Sequence, residues 1–316
     1  MAIRKELWVS YLVANLFKDQ AFFNYCKRED EFVLNGAVVH IPQAGAKPTV
    51  VKNRSTLPAT VIKRTDTDIV YLLDEFSSDP TLISLAEQYE ESPEKMGNVL
   101  GEHVETLREN IGDELIFNWL SAFAASGAGS PSAAIAAAPM LRTSGAAVAN
   151  HMPGSATGNR KLFVKEDLLK AKTLMNKQNV PKGERYALFS SELLDQLNQD
   201  PDIKNRVLDR DAEPETSGGS LVRIYGFNIL ERSYTATYSN TAIKAIGANT
   251  AATDNDVVVC WQRNSVALAL GDVDVLEEKR SPIYYGDIYS AVMRAGGRKT
   301  RRNAEGVVAI VQDASA

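Results

Sequence analysis

From Met96 to Phe123 the apolar residues Met96, Leu100, Val104, Leu107, Ile111, Leu115, Trp119 and Phe123 each fall three or four positions after the last. That spacing puts one apolar stripe along a helix. Ser92-Pro93-Glu94 supplies its start: serine accepts from the free amides, proline suits the first helical position, and glutamate favours the positive end of the dipole. Continued to Ala124, the helix is about 45–50 Å long at 1.5 Å per residue. Gly97, Gly101 and Gly112 each weaken it by up to ~1 kcal/mol relative to alanine. A helix carrying that cost is held by packing along its stripe, so it reads as the spine of the fold.

Upstream the period changes. Met1 to about Asp30 is compatible with a short amphipathic helix rich in aromatics (Tyr11, Phe17, Phe22, Phe23, Tyr25), expected to dock on its own body or on a neighbour. Asn35-Gly36, between Phe32-Val33-Leu34 and Ala37-Val38-Val39, signals a hairpin turn. After Pro42 comes a stretch poor in apolar residues, with Lys47, Pro48, Lys52, Arg54 and Pro58, before strand character returns at Ala59 to Lys63 and Ile69 to Leu73. The segment reads as a long two-stranded ribbon with a basic tip. Such a ribbon is marginal alone, and its edges must be paired or covered.

Downstream, residues 126–158 are dominated by Ala, Gly, Ser and Pro and read as a surface connector. A helix over Glu166 to Asn176 leads through Val180-Pro181-Lys182-Gly183 to a strand at Tyr186 to Phe189, and Ser190 or Ser191 caps a second helix. Asp200 to Thr216 is charged and exposed. Gly218-Gly219 introduces a strand at Leu221 to Tyr225, broken by Gly226 before Phe227 to Leu230. Val257 to Trp261 and Val266 to Leu270 read as buried strands, and Ile283 to Ala295, Arg298 to Arg302 and Val307 to Val311 as alternating ones. No internal repeat is visible.

Chemistry is hard to place on this chain. A net charge of −5 over 316 residues gives no global attraction to nucleic acid. The start lacks a signal-peptide pattern and no window reaches the ~20 apolar residues of a membrane span, so a soluble, intracellular product is expected. Cys26 and Cys260 have no metal-ligand spacing and are expected as reduced, apolar residues. His40, His103 and His151 lie on different elements, short of the converging ligands zinc needs. The runs around Gly127 and Gly154 match neither a phosphate loop nor a nucleophile elbow. Carboxylates cluster at Glu87, Glu90, Glu91 and Glu94, and again at Asp209, Asp211, Glu213 and Glu215; both read as solvated surface or as partners for a neighbour's cations. The basic run Arg294, Arg298, Lys299, Arg301 and Arg302 is sharper. On a strand, Arg298 and Arg302 share one face and Lys299 and Arg301 the other, giving a phosphate-facing stripe or an inter-subunit contact. No aromatic is interleaved for base stacking.

The order of parts resembles the major capsid proteins of tailed bacteriophages, with the Hong Kong 97-type fold. Asn179-Val180-Pro181-Lys182-Gly183-Glu184-Arg185, running into Tyr186 to Ser191, is similar to the turn, strand and helix cap of many such coats, and Gly226-Phe227-Asn228-Ile229-Leu230-Glu231-Arg232-Ser233 to a second of their strands. The resemblance implies an α+β chain: an N-terminal arm (1–30), an extended E-loop hairpin (31–78), a peripheral domain with the spine helix (79–128), an axial domain (129–278) and strands returning to the peripheral domain (279–316). It implies a non-enzymatic coat protein without cofactor or metal, assembling as pentamers and hexamers into an icosahedral shell around phage double-stranded DNA. Portal, scaffolding and decoration proteins are implied partners, DNA a weak one, and a membrane none. The virion, built in the host bacterial cytoplasm, is the implied location. Lys47, Lys52 and Arg54 at the E-loop tip would pair with acidic surface on an adjacent subunit, such as Glu87, Glu90, Glu91 and Glu94, and the basic strand would face a neighbour or DNA. No Lys–Asn pair can be assigned to a crosslink. An encapsulin-like compartment shares the fold; a cytosolic α+β enzyme using the acidic clusters, or a tail or portal protein, does not fit as well.

Overall fold

A computed structural model describes residues 17–32, 38–45, 47–59, 61–84, 94–123, 134–152, 156–201, 203 and 223–314. In chain order, a 3-10 turn (Ala21–Tyr25) leads into β1 (Lys27–Arg28). β2 (Val38–Gln43) and β3 (Thr67–Leu72) form the ribbon, and β4 (Asp74–Ser77) and β5 (Thr81–Ser84) precede the spine helix α1 (Glu94–Leu120). Three short strands follow, β6 (Met140–Arg142), β7 (Ala147–Ala149) and β8 (Asn159–Lys161), then α2 (Lys165–Lys177), β9 (Arg185–Ser190) and α3 (Ser191–Asn198). The remainder is strand: β10 (Arg223–Ile224), β11 (Phe227–Arg232), β12 (Ala236–Tyr238), β13 (Asn255–Gln262), β14 (Ala267–Ser281), β15 (Gly286–Gly296) and β16 (Val307–Val311).

The central sheet runs β10-β11-β9-β13-β16-β6, with β12 also on β13. Its middle strands are buried on both faces, which is why they read as near-continuous apolar runs. Alternation along each strand sorts the two cores. Val257, Val259 and Trp261 of β13, with Tyr186, Leu188, Val307 and Ala309, meet Leu107, Ile111, Leu115 and Trp119 of α1. Val258 and Cys260, with Ala187, Phe189, Val308 and Ile310, meet α2 and α3 through Leu168, Ala171, Met175, Leu193 and Leu197. The spine helix thus covers one face and the two shorter helices the other.

A second sheet, β1-β14-β15-β4 with β5 on the far half of β15, is built around one long hairpin. Ala291 and Met293 of β15 close it onto the spine-helix core. Phe22 and Phe23 are buried in that same core. Phe22 sits edge-on to Trp119 with centroids 5.8 Å apart, and Tyr25 stacks on Tyr186 at 4.6 Å. The aromatic segment from residue 17 therefore docks on its own body, while residues 1–16 lie outside the described residues.

The two quoted motifs acquire physical reasons. Arg185, buried at the start of β9, donates from Nε to the Pro181 carbonyl at 2.8 Å and from Nη2 to that of Val180 at 2.7 Å. The arginine holds the Val-Pro turn that precedes its own strand. Arg185→Met leaves the buried Val180 carbonyl unpaired and removes the tie to the Pro181 carbonyl, and a loss on the order of 2 kcal/mol is expected, read as a lower urea midpoint at unchanged m-value. Tyr225 and Gly226, both at positive φ (48° and 92°), join paired Ile224 and Phe227. That is a type I′ turn, which glycine fits without steric cost. Ser190 is the cap of α3, accepting from the Leu193 amide at 3.4 Å.

Four boundaries differ from the sequence reading. The spine helix stops at Leu120, so its 27 residues span about 40 Å; beyond it Phe123 exchanges backbone hydrogen bonds with Ile135, which turns the chain away. Ala59 and Val61 to Lys63 lie in no strand, and β3 starts only at Thr67, because among the described residues nothing opposite the earlier ones closes a ladder. β14 continues past Leu270 to Ser281 despite Asp272, Asp274, Glu277 and Glu278, since pairing with β15 holds it without burial. Arg298 to Arg302 is a bend touching strand geometry only where Lys299 pairs with Val266. The Asn35-Gly36 turn, the strand at Leu221 and Val222, Gly218-Gly219 and much of the two connectors fall outside the described residues.

Candidate functional site

Among the described residues, no concave catalytic centre emerges from the side chains. His151 Nε2 and Ser190 Oγ both bond the Asp256 carboxylate, the histidine at 3.1 Å. The order is wrong for a serine–histidine–carboxylate triad: the carboxylate stands between serine and histidine, so the imidazole does not reach the serine hydroxyl, and Ser190 is buried as a helix cap. A cleft of about 260 Å³ is lined by Lys18, Asp113, Tyr234, Lys244, Asp254 and Asp256 among others. Its charges are spent on one another: Lys18 on Asp113 at 2.9 Å, Arg232 on Asp113 at 2.6 Å, and Lys244 on Asp254 at 2.8 Å. Both cysteines are free and buried, and burial pushes both thiols up, away from reactivity. His40 pairs with Asp68 at 2.7 Å, and among the described residues no cluster could hold a metal ion. No helix among them is long and apolar enough to cross a membrane.

The surface is more informative than any cavity. The ribbon is rooted firmly: Val39, Tyr71 and Leu73 pack on Ala267 and Ala269. Tyr71 donates to Glu29 at 2.8 Å, and Gln43 donates to the Thr300 carbonyl at 2.8 Å. Beyond Gln43 the described residues join no ladder until Thr67, passing through a turn at Lys52 and Asn53 and a bend at Thr56 to Pro58. Arg64 and the Gly45 amide both bond Asp66 there, and these bonds, the amide first, hold its carboxyl below the usual range. Lys47, Lys52 and Arg54 are all exposed on this tip. So are Val50 (94% exposed), Leu57, Val61 (95%) and Ile62, a run of apolar side chains that a protein living alone in water rarely displays.

The five-residue basic stripe does not form one face. Arg294 points to solvent on β15, within 3.8 Å of Glu75, and Arg301 is exposed. Arg298 turns inward, donating to the Val70 carbonyl at 2.5 Å with its guanidinium 3.9 Å from the Phe123 ring centroid. Lys299 is fully buried, and Arg302 is half-buried in the following turn. The alternation argument assumed a strand where the chain bends. Of the acidic set, Glu87, Glu90 and Glu91 lie outside the described residues, and Glu94 begins α1. Asp209, Asp211, Glu213 and Glu215 also lie outside them.

No protein-family model matches the chain, and no curated protein matches it. Solved structures do, end to end. One from Mycobacterium phage Che8 gives a TM-score of 0.65 over 98% of this chain and 97% of its own, at 18% identity. The capsid asymmetric unit of cyanophage Pam1 gives 0.68 over 99% and 97%, at 12% identity. The capsid of Ralstonia phage GP4 gives 0.62 over 99% and 96%, at 14% identity. This chain has the Hong Kong 97-type capsid fold.

Two exposed apolar features of this fold carry no obvious mark in the sequence. The apolar side chains on the tip escaped notice because Val50, Val61 and Ile62 look like ordinary strand residues until their exposure is seen. The end of the β14–β15 hairpin was also missed: Ile283, Tyr284 and Tyr285 stand exposed there. Three large side chains flanked by Pro282 and Gly286 were a usable signal for an exposed apolar turn.

Proposed function

We propose that the chain is the major capsid protein of a tailed phage, forming pentamers and hexamers of an icosahedral shell around double-stranded DNA. The observation that carries this reading is a likeness to capsid structures over nearly the full length of both chains. Supporting it, the most exposed apolar groups sit on projecting parts, the ribbon tip and the hairpin end, where sister molecules would cover them. Residues 1–30 serve as arm, 31–78 as E-loop, 79–128 and 279–316 as peripheral domain, and 129–278 as axial domain. The chain needs no reactive centre, since its work is to close rings and join them through repeated surfaces. Arg294 and Arg301 remain available to a neighbour or to packaged DNA, whereas Arg298 and Lys299 act inside the subunit.

Purified protein viewed by negative-stain microscopy across a series of salt concentrations should show closed shells or capsomer lattices. A monomer at every concentration overturns the reading. Lys52→Glu with Arg54→Glu should cut particle yield by about tenfold or more, because like charges set across an interface cost several kcal/mol, while the melting curve of the subunit stays unchanged. Normal particles from that variant retire the tip contact.

A further inference from the structure

Eleven of residues 1–16 are Met, Ala, Ile, Leu, Trp, Val or Tyr, a composition that a folded subunit ordinarily covers. The point from which this segment departs is fixed. Lys18 Nζ bonds Glu109 at 3.1 Å and Asp113 at 2.9 Å, both on α1, and Phe22 lies against Trp119. Lys18 is also part of the wall of the 260 Å³ cleft. Between its ion pairs that wall is apolar, built from Phe117 of α1, Met152 of the connector, and Ile243 and Ile246 of the loop after β12. Ile246 is 43% exposed there.

One polar atom of the cleft is left over. Lys244 and the Ala251 amide both bond Oδ2 of Asp254, whereas its Oδ1 is buried with no hydrogen-bond partner among the described residues. An unpaired buried acceptor is costly, so the cleft suits an occupant with a large apolar body and one donor. Within residues 1–16 the indole of Trp8 matches most closely, since it donates one hydrogen bond and accepts none. Trp8 stands ten residues before Lys18; that length reaches about 15 Å as helix and about 33 Å extended. A tether this short holds its end at a local concentration in the millimolar range, which favours the chain's own segment over a sister's. We propose that residues 1–16 fold back on their own subunit, with Trp8 seated in this cleft against Phe117 and Ile243 and its indole N–H on Asp254 Oδ1. The seat keeps an apolar, aggregation-prone segment covered in the free subunit, and it does not depend on the shell reading.

Quenching of tryptophan emission by acrylamide tests the seat on the full chain. The other two tryptophans, Trp119 and Trp261, are fully buried, so wild-type emission minus that of Trp8→Phe isolates Trp8. Its quenching constant should lie about threefold or more below that of a synthetic peptide of residues 1–16, because a covered indole is out of the quencher's reach. Ala245→Asp with Ile246→Asp, both at exposed positions of the cleft wall, should raise it to the peptide's value while the subunit still melts cooperatively. Mixing then separates one chain from two. Trp8→Phe protein, whose clefts are intact, is refolded from urea together with the double cleft variant, and Trp8 should stay open to the quencher. Recovered shielding in that mixture places the segment on a sister molecule and overturns the proposal. So does a wild-type Trp8 as open as the peptide, or shielding that the cleft variant leaves unchanged. Should the double change unfold the subunit, Ile246→Asn alone decides by the same reading. Shell formation is judged apart from this: particles with an open Trp8 remove only the seat, and a shielded Trp8 in protein that never assembles removes only the shell reading.

Discussion

Trp119→Ala should lower stability by about 3–5 kcal/mol, the range for emptying a large aromatic from a packed core. Trp119 is fully buried, with Phe22 edge-on at 5.8 Å and Trp261 tilted at 5.6 Å. It is the point where the docked N-terminal segment, the spine helix and the central sheet meet. The cavity left behind therefore touches three elements, and none can collapse into it without losing its register with the others. Folded domains hold only about 5–15 kcal/mol in total, so the change removes a large share of it. Urea melts should show a much lower midpoint. Limited proteolysis should cut near Lys18 and Lys27 in the variant and not in the wild type. Trp119→Phe, which refills most of the volume, should recover more than half of the loss. A Trp119→Ala melt within 1 kcal/mol of wild type would mean that Phe22 and Trp261 pack without their common partner.

How far the sequence reveals this fold depends on whether a residue's neighbours are local. The stripe at Leu107, Ile111, Leu115 and Trp119 is a property of one helix, and it faces the core as its spacing required. Val257 to Trp261 alternates between two cores, and an unbroken apolar run is what a strand buried on both faces must have. Gly226 and the Ser190 cap were readable because turns and caps are chemistry within a few residues. The misses are all non-local. Asp272 to Glu278 looks like a loop, and only its ladder with β15 makes it strand. Val61 to Lys63 looks like strand, and only the lack of a partner among the described residues keeps it out of one. The basic tip was legible as charge, but the apolar side chains exposed beside it were not, because exposure depends on the rest of the fold. Arg298 and Lys299 show the same limit: two adjacent cations read as surface, yet one covers a ring and the other lies inside the protein.

Lys299 leads to the second large effect, a rise in stability with pH through the alkaline range. Its ammonium is wholly buried and donates to the Ser121 carbonyl at 2.5 Å and the Ala136 carbonyl at 2.8 Å. Ser121 follows the last residue of α1, so the amine sits at the negative end of the spine helix. It also ties together the two ends of the alanine-rich connector, whose residues 124–133 include no ionisable side chain. Among the described residues no carboxylate forms an ion pair with it; Arg298 is the charge that acts on it, and Asp74 acts on that arginine from β4. Desolvation first, and Arg298 second, push the Lys299 amine down to about 7 from its ordinary value of 10.5. Below pH 7 the group is charged in both folded and unfolded chains, and the full cost of burying the charge is present. Between about 7 and 10.5 the unfolded chain still holds a proton that the folded chain has released, so stability climbs with pH, by at most ~1.4 kcal/mol per unit. Lys299→Met removes this term and leaves every other titration in place. The wild-type stability minus that of Lys299→Met, from urea melts at pH 6, 7, 8, 9 and 10, should therefore be level up to pH 7 and then rise. A difference that stays flat to pH 10 would mean that the two carbonyls hold the ammonium charged inside the protein, and that the end of the spine helix is cation-capped throughout that range.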